Sequence, residues 1–168
     1  MDCMILSTNG SWQGIMSARD GSSSSYGNNF SLWINTSNVF RTDYGVDNGP
    51  VLGTVTLNKR ILIDKNKATT TIDGTSITNP STTFTCNYNL HLMTGYSGGT
   101  TEFPCSLKLY SCQIYDNGTL IRDFRPVIYP STKKVGLWDR VNKKIYYSAS
   151  STTFLSPEEY ENLVIVPT

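Results

Sequence analysis

Two β-hairpin signals stand back to back between Leu107 and Phe154, and no other feature of the chain restricts its fold as much. In the first, the runs Cys112 to Tyr115 and Thr119 to Phe124 flank Asp116-Asn117-Gly118. Asn-Gly accepts positive φ at both centres of a type I′ turn, the turn whose twist matches that of two antiparallel strands. In the second, Val135 to Trp138 and Lys144 to Tyr147 flank the polar loop Asp139 to Lys143, a length that commonly joins such strands. Between the hairpins, Pro126 and Pro130 remove ladder donors, so this connection is expected to mark a sheet edge or a crossing.

The rest of the chain follows the same pattern. Only 16% of its 168 residues are charged, and Ser, Thr, Asn and Gly carry the polarity, as in a turn-rich β protein. Short strands are expected at Cys3 to Leu6, Gly14 to Ala18, Phe30 to Ile34 and Val39 to Tyr44. Others follow at Val51 to Lys59, Arg60 to Asp64, Thr69 to Thr78 (turning at Asp73-Gly74) and Phe84 to Met93. Phe30, Leu32 and Ile34 alternate with Ser31, Trp33 and Asn35, the period of a strand with one buried face. Asp20 to Asn29 reads as a polar loop. Only the tail reads as helix, where Ser156-Pro157-Glu158-Glu159 supplies a cap, a first-turn proline and a glutamate three residues on. Many short strands and almost no helix predict an all-β antiparallel sandwich over residues 1–155, with a jelly roll preferred, and a tail with a short helix over 156–168.

Several function classes are disfavoured. A net charge of +1 lacks the basic excess that non-specific nucleic-acid binding needs, so no nucleic-acid partner is expected. No apolar run reaches the roughly 18 residues of a membrane span, so membrane insertion is not expected either. Met1-Asp2-Cys3-Met4 also lacks the basic start and apolar core of a signal peptide. Cys3, Cys86, Cys105 and Cys112 form no C-x-x-C pair, and buried thiols behaving as small hydrophobes account for Cys105 and Cys112.

The stretch IYDNGTLIRDFRPV followed by VGLWDRVNKKIYY resembles the closing portion of concanavalin A-like, laminin G-like sandwich domains of bacteriophage tail or fibre proteins and of gut-bacterial surface proteins. GIMSARDG, FSLWIN, ILIDKN and TTTIDGT resemble the earlier strands of the same domain in the same order. The resemblance covers about Trp12 to Phe154. It implies a jelly-roll, lectin-like module in a virion or at a cell surface, often carbohydrate-binding and often an appendage of a larger assembly. Such domains usually begin with one more strand than this chain contains, which predicts an unpaired edge that a neighbour fills.

Catalysis is not expected. The E-x-D-x-x-E strand motif of sandwich glycosidases is absent, and Glu102 is the sole glutamate before the tail. His91, the sole histidine, has no G-x-S-x-G partner. Binding needs less: aromatic rings against sugar C–H faces, with amides and carboxylates on the hydroxyls. Trp33, set by its parity away from Leu32 and Ile34, is the stacking candidate, and cross-strand pairing is the alternative. Tyr26, Tyr44 and Tyr96 lie in polar loops, with Asn28, Asn29, Asp43, Asp47 and Asn48 close by in sequence. Trp12 and Trp138 are expected in the core. No cofactor is expected, although Asp43, Asp47 and Asn48 could offer oxygens to Ca²⁺; turn residues explain them more simply.

The expected function is therefore a non-catalytic module for a glycan or cell-surface receptor, the alternative being a structural domain docked on other subunits. A binder should gather Trp33 and the tyrosines into one open concavity, and a structural module should scatter or bury them. Seven cations from Arg122 to Lys144 stand against Asp123 and Asp139 and suit either an anionic partner or a solvated hairpin.

Overall fold

A computed structural model describes residues 1–19, 28–80, 83–97, 100–129, 131–148, 154–155 and 164–165. The chain is all-β, with antiparallel sheets packed as a sandwich and no helix among the described residues. It divides into two compact units, Cys3–Lys108 and the remainder from Leu109 together with Met1–Asp2.

The Cys3–Lys108 unit holds all but the first residue of β1 (Asp2–Ile5), then β2 (Gln13–Arg19), β3 (Asn29–Ile34), β4 (Val39–Tyr44), β5 (Val51–Thr54) and β6 (Arg60–Asn66). It continues with β7 (Thr69–Ile72), β8 (Thr75–Thr78), β9 (His91–Leu92), β10 (Gly95–Ser97) and β11 (Thr100–Glu102). One sheet runs β5-β4-β3-β2-β9, and a second places β1, β6, β7 and β8 in order. Leu32, Ile34 and Phe40 from the first sheet and Ile5, Ile61, Ile63 and Ile72 from the second are buried, as their alternation requires. Polar groups also cross the interior: Thr42 Oγ1 and Thr70 Oγ1 meet at 2.6 Å. Asp73 and Gly74 both have positive φ, so the β7–β8 turn is where their residue types predict it.

Three strand expectations fail in this unit, the first at Val51 to Lys59, where β5 stops at Thr54 and the chain turns, Asn58 taking φ 56°. Phe84 to Met93 is not one strand; only His91–Leu92 pairs, antiparallel to Met16 and Ser17 of β2. Phe84 instead packs edge-on against Tyr44 at 4.9 Å, and Met93 takes φ 63°, which ends the extended run. Thr100 to Glu102, outside every expected strand, is β11 of a small hairpin with β10, paired from Gly95↔Glu102 to Ser97↔Thr100.

The second unit is a meander of β12 (Leu107–Asp116), β13 (Thr119–Ile128), β14 (Val135–Asp139) and β15 (Lys144–Tyr146). Asn117 and Gly118 have φ 47° and 82°, the left-handed pair that the Asn-Gly signal calls for. The β12–β13 register ends at Cys112↔Phe124, just before Pro126, consistent with a proline placed where one ladder stops. The three arginines here are ion-paired: Asp123 meets Arg125 and Arg140 at 3.3 Å, and Asp139 meets Arg122 at 3.5 Å. Trp138 is half-buried rather than a full core residue. The expected helix at Ser156 lies outside the described residues; β16 (Val164–Ile165) runs parallel to Val127 and Ile128 of β13.

Candidate functional site

The face of the five-stranded sheet that carries Trp33 is set by a bulge in β2. Gly14 pairs with Trp33 and Met16 with Leu32, so Ile15 is the extra residue and Ser17 falls opposite Ser31. Asn29, Ser31 and Trp33 thus share a face with Arg41 and Asp43 of β4, whose partners are Trp33 and Ser31. Parity places Trp33 away from Leu32 and Ile34, as expected. The expectation of exposure is wrong: the ring is 3% exposed.

The cause is a later segment. The turn entering β10 lies on this face, where a Cβ on Gly14 would collide with the backbone of Thr94 and Gly95, and a Cβ on Gly95 would lie 2.5 Å from the Trp33 ring. Glycine at both positions permits the close approach. Gly14 N donates to Phe103 O at 2.8 Å, and Ser17 Oγ donates to Tyr96 O at 3.1 Å. Trp33 then packs edge-on against Trp12 and Phe103, each at 6.3 Å. Trp12, expected in the core, is the half-buried outer partner, and Phe103 is 42% exposed.

Beneath these rings runs a buried polar chain. Trp33 Nε1 donates to Ser31 Oγ at 2.7 Å, Ser31 donates to Asn29 Oδ1, and Asn29 Nδ2 donates to Asp43 Oδ2 at 3.3 Å. Asp43 Oδ1 accepts from Gly49 N at 2.8 Å and from Arg41 Nε at 3.4 Å. Burial pushes the Asp43 carboxyl up, against the opposing pull of Gly49 N–H and Arg41. Arg41 lies over the Trp12 ring at 5.0 Å and reaches Asp47 Oδ1 at 3.7 Å. Asp43 and Asp47 thus both turn onto a guanidinium, which occupies the oxygens proposed for Ca²⁺ and opposes a second cation. Among the described residues no three His, Cys, Asp or Glu side chains cluster as metal ligands.

The remaining candidates separate. Asn48 is exposed at φ 63° and donates to Asp47 Oδ2 at 3.1 Å, a turn geometry. Asn28 is half-buried at the foot of β3. Tyr96 stacks on His91 at 3.9 Å and packs edge-on against Tyr88. Burial lowers the His91 pKa. Tyr26 lies outside the described residues. Tyr44 pairs with Phe30, so its parity sets it on the face opposite Trp33. Among the described residues, Trp33, Tyr44 and Tyr96 are therefore not gathered into one concavity.

Tyr44 instead borders an open cleft of about 550 Å³ lined with Asp64, Asn66, Lys67, Thr69, Thr71 and Thr78. Asp64 and Asn66 alternate with the inward Ile63 and Lys65 on β6, and Thr69 and Thr71 with Thr70 on β7. Regular alternation thus supplies a hydroxyl, amide and carboxylate surface beside one aromatic ring. The strand signals located β6 and β7; that Tyr44 of a different sheet meets them could not be read locally. Comparison of the chain with protein-family models, with curated proteins and with solved structures finds no match.

Proposed function

We propose that the chain is a non-catalytic recognition module whose ligand is a carbohydrate bound at the Tyr44 cleft. The observation that carries this reading is the lining of that cleft: one aromatic ring, one carboxylate, an amide, an ammonium and three threonines around about 550 Å³. That volume suits a small ligand, and the mixture suits a sugar, whose C–H face takes the ring and whose hydroxyls take the polar groups. The resemblance of the closing hairpins to concanavalin A-like domains agrees with it and suggests a place in a phage particle or at a bacterial surface, facing a cell-surface receptor.

The test is a glycan array on the parent chain and on Asp64→Asn, which alters one exposed cleft residue. Binding by the parent that Asp64→Asn weakens about tenfold supports the cleft, since a lost charged hydrogen bond is worth about 1.5 kcal/mol or more. A second reading is a structural domain docked on other subunits. The scatter of Trp33, Tyr44 and Tyr96 favours it, as do Val51 on the edge strand β5 and Leu62 on β6, 52% and 62% exposed. A silent array from a folded chain that forms a defined oligomer would select this reading.

A further inference from the structure

Inside the Cys3–Lys108 sandwich an amine, a carboxamide and a carboxyl lie in succession. Lys65, at an inward position of β6, donates from Nζ to Thr42 Oγ1 at 2.7 Å and to Thr70 Oγ1 at 3.3 Å. Asn79, just past β8, brings Nδ2 to the same Thr42 oxygen at 3.4 Å. Asn79 is 2% exposed, and its Oδ1 has no hydrogen-bond partner among the described residues. On its other side, Asn79 Oδ1 and Asp43 Oδ1 converge beside Gly49, where an added methyl would lie 2.5 Å from one and 2.9 Å from the other.

From this arrangement we propose that Lys65 and Asn79 join in an intramolecular isopeptide bond, with Asp43 as the acid and Thr42 as the proton relay. Burial prepares both ends. It pulls the Lys65 amine down to about 8, opposed by the charge of Asp43, so about a tenth is neutral at pH 7. It raises the Asp43 carboxyl, which favours the protonated form that a general acid needs.

The amine reaches Asn79 Cγ by swinging past the Thr42 hydroxyl, to which both nitrogens are already bound. The Asp43 proton stabilises the carboxamide oxygen, which otherwise has no donor among the described residues. Nζ bonds to Cγ, the Cγ–Nδ2 bond breaks, and Thr42 passes a Lys65 proton to the departing nitrogen. The products are a secondary amide and ammonia, which leaves as ammonium with the proton that Lys65 carried. No oxidant or co-reactant is required. The bond ties β6 to the segment after β8 without using a cysteine.

Intact-mass spectrometry of the purified full chain tests this. The expected parent is lighter than its sequence by one ammonia, and its digest contains a branched peptide joining Lys65 to Asn79. Lys65→Arg and Asn79→Ala keep their full masses and yield no branched peptide. A folded parent of full mass overturns the proposal. So does an ammonia loss that persists in Lys65→Arg, because Asn9-Gly10, Asn48-Gly49 or Asn117-Gly118 then supplies it through succinimide formation. An Asp43→Asn chain that crosslinks to the same extent as the parent overturns the acid's part.

Discussion

Trp33→Ala separates a packing role from a ligand role most sharply. The ring is 3% exposed, packs edge-on against Trp12 and Phe103, and bonds to Ser31. A buried tryptophan removes about 200 Å² from water, worth about 5 kcal/mol at 25 cal/mol per Å². Compactness of the unfolded chain reduces this by about a quarter, and the two aromatic pairs add about 1 kcal/mol each. Ser31 keeps Asn29 and Asp43 as partners, so its hydroxyl adds little. Phe103 and the β10 turn settle partly into the space, which brings the expected cost to about 4 kcal/mol, within the range for truncated core tryptophans. Urea unfolding followed by far-ultraviolet circular dichroism measures it, with the midpoint falling by about 2 M at an unchanged slope of about 2 kcal/mol per M. A loss below about 1 kcal/mol would refute the reasoning, since exposed substitutions lie in that range.

Gly14→Ala drives a methyl into the backbone of Thr94 and Gly95 and should cost about 3 kcal/mol in calorimetry, whereas Gly10→Ala, with open space around it, should cost only its backbone strain. Burial pushes the Asp139 carboxyl up, but Asn142 Nδ2 and the N–H groups of Asp123, Val141 and Asn142 outweigh it and hold it low. Its stabilisation is therefore present above about pH 4 and lost as pH falls through the folded pKa, and Asp139→Asn should cost about 2 kcal/mol at pH 7 and flatten that acid limb. Cys86, half-buried, should react first with an aromatic disulfide, while Cys3, Cys105 and Cys112 wait for unfolding; burial pushes the Cys105 thiol up to about 12, and equal rates for all four would contradict this. In Asn79→Ala, which cannot crosslink, the unfolded chain holds the Lys65 proton more tightly than the folded one, so stability should climb between pH 8 and 10.5 by about 3 kcal/mol; an equal climb in the parent would show that its Lys65 is a free amine.

The fold was legible where local chemistry determines it. Asn117-Gly118 and Asp73-Gly74 demand positive φ, and the flanking alternation leaves one register that buries Phe124 or Ile72. It was illegible where pairing depends on a distant surface. Phe84 to Leu92 alternates well enough for a strand, but Phe84 finds Tyr44 and only His91–Leu92 finds β2. Thr100 to Glu102 has no apolar alternation and pairs because Gly95 is held against Trp33.

The same distinction governs the site. Alternation along β3 gives the direction of Trp33 correctly, yet direction is a property of the strand and exposure is a property of whatever covers it. Here the cover arrives sixty residues later, through two glycines whose missing side chains are the only local trace of the contact. Polar residues at inward positions are a stronger signal. Thr42, Lys65 and Thr70 occupy core-facing places on β4, β6 and β7, where a sandwich built only for stability would place Val, Leu or Ile. Their mutual hydrogen bonds satisfy most of them, but the Asn79 Oδ1 beside them finds no donor among the described residues. A buried carboxamide oxygen without a donor costs about 1–3 kcal/mol, and a reaction that consumes the carboxamide next to an amine gives that arrangement a use which packing alone does not.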